Sequence, residues 1–246
     1  MTTRREKAPL AVAQAGGITT LTLHLAEGLL TDAGHAALAE AAERIDLDDE
    51  VRVVVLRGSG AAFCRGGRAG TRDDGIAAVA GLRVPVVAAL HGEVLDEGLE
   101  LAMAADLRVA AKGTRFGLTQ LLRGELPSHG GTQRLPRLIG RAAAGAMLLL
   151  GETIPAARAA RLGLVHEVVE RDALARRTRA LARGMAQRGP AAQRLAKEAL
   201  RAALDLPLSE GLRLEGDLYV LLQSTEDREE GIASFREKRR PRYRGR

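Results

Sequence analysis

Apolar residues recur along this chain with two periods, and the switch between them predicts the elements. Ile18, Leu21, Leu23 and Leu25 follow the Gly16-Gly17 turn and predict a strand. Thr31-Asp32 predicts the cap of a helix over residues 33–45, with Leu38, Ala41, Ala42 and Ile45 near helical spacing. Residues 52–56 are continuous and β-branched, as in a strand buried on both faces, and Gly58 and Gly60 end them. Residues 84–90 form a second such run, ended by His91-Gly92. Asp96-Glu97-Gly98 predicts a tight turn in which Asp96 N-caps a buried helix starting over residues 99–105. Residues 106–110 return to strand composition. Gly124, Pro127, Gly130 and Gly131 break the next stretch into loops.

Beyond Gly140 the period is helical almost throughout. Helices are predicted over residues 141–150 and 155–162, stopped by Gly151 and Gly163. Others follow over 172–186, 191–204, 208–222 and 225–239, punctuated by Gly189-Pro190 and Leu206-Pro207. Strand–helix–strand order in the first part predicts an α/β architecture with crossover helices. The expected division is a core over residues 1–190 and a helical region over 191–246.

Composition narrows the function classes. The chain has 246 residues and is 46% hydrophobic, enough for one large core. Aromatic residues make up 2% and Trp is absent, so the core is aliphatic and base stacking is disfavoured. The net charge is +6, with much of the excess in the tail REKRRPRYRGR over residues 236–246. No groove-reading motif accompanies that tail, so a nucleic-acid partner is not expected. The tail reads as a solvated, partly helical terminus, and the basic excess suits an anionic ligand such as a phosphorylated cofactor. A single cysteine, Cys64, excludes an intrachain disulfide and fits a reducing compartment. No apolar run approaches the roughly 18 residues of a membrane span, and no apolar signal core follows the basic start. A cytoplasmic protein without a membrane partner is the expectation. The glycines lack the strand–GxGxxG–helix context of a dinucleotide site.

Several motifs stand in a fixed order. They are Ala62-Phe63-Cys64-Arg65-Gly66-Gly67, Val84-Pro85-Val86-Val87-Ala88-Ala89, Gly98-Leu99-Glu100-Leu101, Ala105-Asp106 and Gly130-Gly131-Thr132-Gln133-Arg134-Leu135. In order and spacing they resemble the enoyl-CoA hydratase/isomerase (crotonase) superfamily, and the resemblance runs over nearly the whole chain. It implies a crotonase-like core of ββα units wound into a superhelix. A helical C-terminal region would form the trimer contacts of a homotrimer or a dimer of trimers. It also implies an acyl-CoA substrate whose coenzyme A is part of the substrate, with no other cofactor and no metal.

The shared chemistry of that superfamily is stabilisation of a thioester enolate by two backbone N–H groups. By the motif, these belong to Gly67 and Glu97, the latter standing where the superfamily has glycine. Removing one such donor typically costs about 3–4 kcal/mol of barrier. Glu100 matches the first of two hydratase glutamates, which hold water and exchange its protons. The second falls on Gln120, in Phe116-Gly117-Leu118-Thr119-Gln120. An amide can orient water or a carbonyl but takes no proton. A replacement acid is sought among His129, Glu125, Asp96 and Glu97; His129 also reads as an exposed loop histidine. Arg65 and Gly67 are implied at the coenzyme A end, and Lys238 is implied as a contact across subunits. Arg68 replaces a customary Asp and would pair with Asp73, Asp74 or a ligand anion. Asp106 reads as structural, and Cys64 lacks a neighbour that would activate it. Hydration is the leading reaction. Isomerisation, decarboxylation or C–C cleavage of an acyl-CoA, or a weakly catalytic binding role, are the alternatives.

Overall fold

The structure is a computed structural model describing residues 8–67 and 74–246. Gly16 and Gly17, at φ 59° and 75°, fold β1 (Leu10–Ala15) back antiparallel on β2 (Ile18–Leu23). Two left-handed residues in a row favour glycine, and their twist suits a hairpin. After β3 (Leu29–Leu30), Thr31 caps α1 (Asp32–Asp46) by accepting the Gly34 N–H at Oγ1, as its sequence position predicts. Then come β4 (Val53–Gly58), β5 (Gly66–Gly67), α2 (Gly75–Gly81), β6 (Val86–Leu90) and β7 (Glu93–Leu95). The middle of the chain holds α3 (Glu97–Ala104), β8 (Leu107–Ala111), β9 (Arg115–Gly117), α4 (Gly131–Ile139) and α5 (Arg141–Leu149). The chain continues through β10 (Ile154–Pro155), α6 (Ala156–Arg161), β11 (Glu167–Val169) and α7 (Leu174–Ala186). It ends in α8 (Pro190–Ala202), α9 (Leu208–Gln223) and α10 (Glu226–Arg236).

The main sheet runs β1-β2-β4-β6-β8-β11, parallel except for the first hairpin. A smaller sheet, β10-β9-β7, stands beside it, and β3 pairs with β5. The β-branched runs are buried on both faces because period two divides them. Val54, Leu56, Val86, Ala88 and Leu90 join the core with α1, α2 and α3. Val53, Val55, Val87 and Ala89 face the other way, onto Leu174 and Ala182 of α7.

Three features correct the sequence reading. β7 is a three-residue strand between His91-Gly92 and the predicted turn, where the sequence predicts no element. Gly131 opens α4 instead of continuing a loop. The last helix stops at Arg236, short of the predicted residue 239, and the tail, still mostly exposed, is tied back to the protein at a few points. Arg52 Nη2 donates to Tyr243 O at 2.8 Å, and Asp227 accepts the N–H groups of Arg244 and Gly245.

Asp106 is structural, as read. Its carboxylate accepts the Val86 N–H at 2.7 Å and Lys197 Nζ at 2.6 Å; Lys197 also donates to Val84 O. This ties α8 to the start of β6. Removing one member of a buried pair leaves the other without its partner. Lys197→Met is expected to lower unfolding stability by about 3 kcal/mol. A denaturation midpoint unchanged from wild type would show the tie to be dispensable.

Along α9 only Leu218 is buried, while Leu208, Leu212, Tyr219, Val220 and Leu221 are exposed, as is Phe235 on α10. Among the described residues no helix is long and apolar enough to cross a membrane.

Candidate active site

The site is assembled where α3 begins. Gly98 sits so close to Cys64 that an added Cβ would collide with the Cys64 carbonyl. A Cβ on Gly67 would lie 2.6 Å from Leu30 O and 3.3 Å from Glu97 Cγ. Two glycines thus let the first turn of α3 press against β5, and Gly67 packs on the side chain of Glu97. Glu97 is the first residue of the helix, so its N–H is among the donors a helix leaves without an internal acceptor.

Asp96 does not cap α3 in the way the sequence predicts. Its φ of 51° and ψ of −123° place it in a region that glycine favours, and its side chain makes no bond to the helix. Such backbone costs roughly 1–3 kcal/mol. The carboxylate instead accepts Thr119 N and Oγ1 and Arg123 Nη2, the latter at 3.0 Å. Asp96 is therefore a latch between the start of α3 and the turn carrying Gln120. With its oxygens engaged, it is not the replacement acid. Glu125 is not either: it is exposed and pairs with Arg123 at 2.9 Å.

Glu100 is fully buried one turn into α3. Its Oε1 accepts the N–H groups of His129 at 2.8 Å and Gly131 at 2.7 Å. Gly131 is needed there, because a Cβ would stand 3.0 Å from Oε1. Glu100 Oε2 has no hydrogen-bond partner among the described residues. Burial pushes the Glu100 carboxyl above the ordinary glutamate value; the Gly131 and His129 amides oppose this, and the charge of Glu97 adds to it.

The other predicted acid–base candidates, Gln120, Glu97 and His129, are buried as well. Gln120 is buried at the head of a 3-10 turn over Gln120–Arg123, with both amide atoms unpartnered. Glu97 is buried, with Oε2 unpartnered and 3.5 Å from where a Gly66 Cβ would stand. Its carboxylate thus packs beside Gly66-Gly67, in the space the resemblance gives to the thioester oxygen. His129 is buried too, which corrects the exposed-loop reading. Its Nδ1 lies 3.1 Å from Asp74 Oδ1, its ring packs on His35 with centroids 4.8 Å apart, and Nε2 is unpartnered. Buried polar groups ordinarily have partners. Here unpartnered atoms of four buried polar side chains fall on residues singled out for chemistry.

A family model described as enoyl-CoA hydratase/isomerase matches residues 15–246. The chain belongs to the enoyl-CoA hydratase/isomerase family. It is 38% identical over 243 residues to a Mycobacterium tuberculosis protein named probable enoyl-CoA hydratase, covering 94% of this chain and 95% of the relative. It is 36% identical to the 2,3-dehydroadipyl-CoA hydratase of Escherichia coli, covering 93% and 95%. The crystal structure of an enoyl-CoA hydratase from Bacillus anthracis superposes with a TM-score of 0.90 at 34% identity, over 97% of this chain and 100% of that one. The α/β core is the fold of the family.

Within this family member, Arg65 lines a cleft of about 230 Å3 with Leu23, Leu25, Gly28 and Phe63, and pairs with Glu93 at 2.6 Å. That cleft opens two residues from Gly67. Lys238 stands exposed after α10 at φ 54°, and its side chain makes no hydrogen bond or ion pair among the described residues. Arg68 and Asp73 lie outside the described residues. Cys64 is sealed off, and burial pushes its thiol up to about 12, which removes it as a nucleophile.

Sequence reasoning missed His35 and the role of Asp74. His35, Asp74 and His129 bring ligand-type atoms within 4.8 Å of one another. Asp74 also caps α2 through the Ala77 N–H. Burial raises its carboxyl, but that N–H and His129 hold it below the usual range. The only signal in the sequence was a histidine in a loop of small residues.

Proposed function

We propose that the chain hydrates a 2-enoyl-CoA thioester. The observation that carries this reading is Glu100: buried, held at Oε1 by two backbone N–H groups, with Oε2 left for a water or substrate atom. Glu100 takes a proton from water as its oxygen adds to C3. The electron pair of the double bond moves onto the thioester as an enolate. The Gly67 and Glu97 N–H groups stabilise the enolate oxygen. C2 then receives a proton, and the enolate collapses to the saturated thioester. Gln120 cannot deliver that proton, and we assign its delivery to Glu97, on the same helix face as Glu100; the proton that Glu100 took from water then passes to Glu97 and closes the cycle. Gln120 orients the water. His129 acts mainly through its backbone, as a positioning residue for Glu100. Turnover of a short 2-enoyl-CoA tests the whole reading; a protein that binds the thioester and never hydrates it would sink it.

The coenzyme A moiety is assigned to the cleft at Arg65, with Lys238 reaching it from a neighbouring subunit. A polyanionic ligand on a basic protein binds more weakly as salt screens it. The exposed apolar side chains on α9 and α10 support a trimer or dimer of trimers built on residues 191–246, with residues 1–190 as the catalytic core. Light scattering at micromolar concentration is expected to give three or six times the chain mass, and a stable monomer would refute it. The buried lone thiol and absence of a long apolar helix among the described residues are in keeping with a cytoplasmic enzyme.

The upward shift of Glu100 sets a pH expectation. The base form is lost as pH falls through its raised value. The acidic limb of kcat/KM should therefore lie above the roughly 4.3 of an unperturbed glutamate. A flat profile down to that value would mean that Glu100 does not titrate in the reaction.

A further inference from the structure

On the face of the main sheet turned away from α3, a cavity of about 520 Å3 opens between the first hairpin and α7. This lies within the size range of small-molecule sites. Its floor includes Ile18, Val55, Ala89 and Leu174. Arg57, Arg171, Arg179 and Arg183 stand around it, and no Asp or Glu lines it. Arg57 is held in place by donating from Nε to Thr22 Oγ1 at 3.0 Å. Two further observations point to a ligand. Thr178 lines the cavity, is 2% exposed and leaves Oγ1 without a partner among the described residues. The 13-residue helix α7 starts at the cavity with no side-chain cap, so its first N–H groups and its dipole favour an anion there.

We infer that this cavity is a second ligand site for an alkyl anion, with its acidic head among the four guanidiniums and its chain on the aliphatic floor. Four cations without a counter-charge demand an anionic head, because charge-assisted bonds to guanidinium are the strong ones. The floor demands a tail, because an inorganic ion would leave Ile18, Val55, Ala89 and Leu174 wet. No Phe, Tyr or Trp lines the cavity to stack a base; the one imidazole, of His91, is buried and bonded through Nε2 to Gly60 O at 2.9 Å. The cavity shares no lining residue with the cleft at Arg65, and it stands or falls independently of the reaction proposed for Glu100.

Calorimetry of the full chain with decanoate tests the site, run with a saturating acyl-CoA present so that the thioester site is filled. Decanoate is expected to bind, whereas decanol (the tail alone) and inorganic phosphate (the charge alone) bind at least tenfold more weakly. Arg179→Gln with Arg183→Gln should weaken decanoate at least tenfold. Ala175→Phe, an exposed position that lines the cavity, should fill it without changing charge and abolish binding. Both variants should keep wild-type affinity for acyl-CoA. No binding of decanoate at roughly 1 mM, equal binding of decanol or phosphate, or wild-type decanoate affinity in both variants would each overturn the inference.

Discussion

Glu100→Gln is expected to lower kcat for hydration of a short 2-enoyl-CoA by about 10²–10⁴-fold, the usual contribution of a positioned acid–base group. KM should change little, since the side chain meets water and the reacting carbons more than the coenzyme. The same change should not weaken the fold. The folded-state value of Glu100 is raised, chiefly by burial. A raised carboxyl contributes stability below its unfolded value and loses it as pH rises through the folded value. At neutral pH its charge therefore works against folding. Gln keeps an oxygen for the His129 and Gly131 N–H groups and carries no charge. Thermal melts at pH 7 should give a midpoint equal to or above wild type. A variant that keeps full activity, or one that is inactive only because it unfolds, would remove Glu100 from its role.

Much of the scaffold was legible because local chemistry and burial agreed. Thr31 is a cap in the sequence and a cap in the structure. The runs at 52–56 and 84–90 are buried on both faces because each lies inside a parallel sheet with neighbours on either side. What escaped was set by tertiary context. β7 has three residues and exists only through its pairing with β9. α4 starts with glycine and contains Pro136, so its composition reads as a loop; its place is taken because the Gly131 N–H must reach Glu100.

The site divides in the same way. Gly67, Glu97, Glu100, Gln120 and His129 were named from motif positions, and the structure buries all but the half-buried Gly67 around one helix start. The direction of the Glu97 side chain was not readable, because it depends on how closely Gly98 approaches Cys64. Nor was the work of Asp96, whose partners Thr119 and Arg123 lie more than twenty residues away. His35 and Asp74 are separated in sequence from His129 and from each other, so only the fold brings the three together.

Glu97 provides the sharpest test because its two readings predict opposite signs. Its carboxyl packs beside Gly66-Gly67, next to the place where enolate charge would develop. Two like charges about 4 Å apart at an effective dielectric of about 20 repel by about 4 kcal/mol, roughly 10³-fold in rate. An ionised Glu97 would therefore oppose the very intermediate that its own N–H stabilises. As the donor to C2, Glu97 would instead stand one helical turn from Glu100, in the role that Gln120 cannot fill, and would recover its proton from Glu100 after each turnover. On that assignment Glu97→Gln keeps the backbone donor, loses the proton and lowers hydration by about 10²-fold or more. Adding Gln120→Glu to this variant should return at least tenfold, by restoring a carboxyl at the position where the family resemblance puts its second glutamate. If Glu97→Gln instead raises the rate, the carboxylate is an obstruction and the proton comes from elsewhere. His129, with its unpartnered Nε2, would then be the group to replace by Ala.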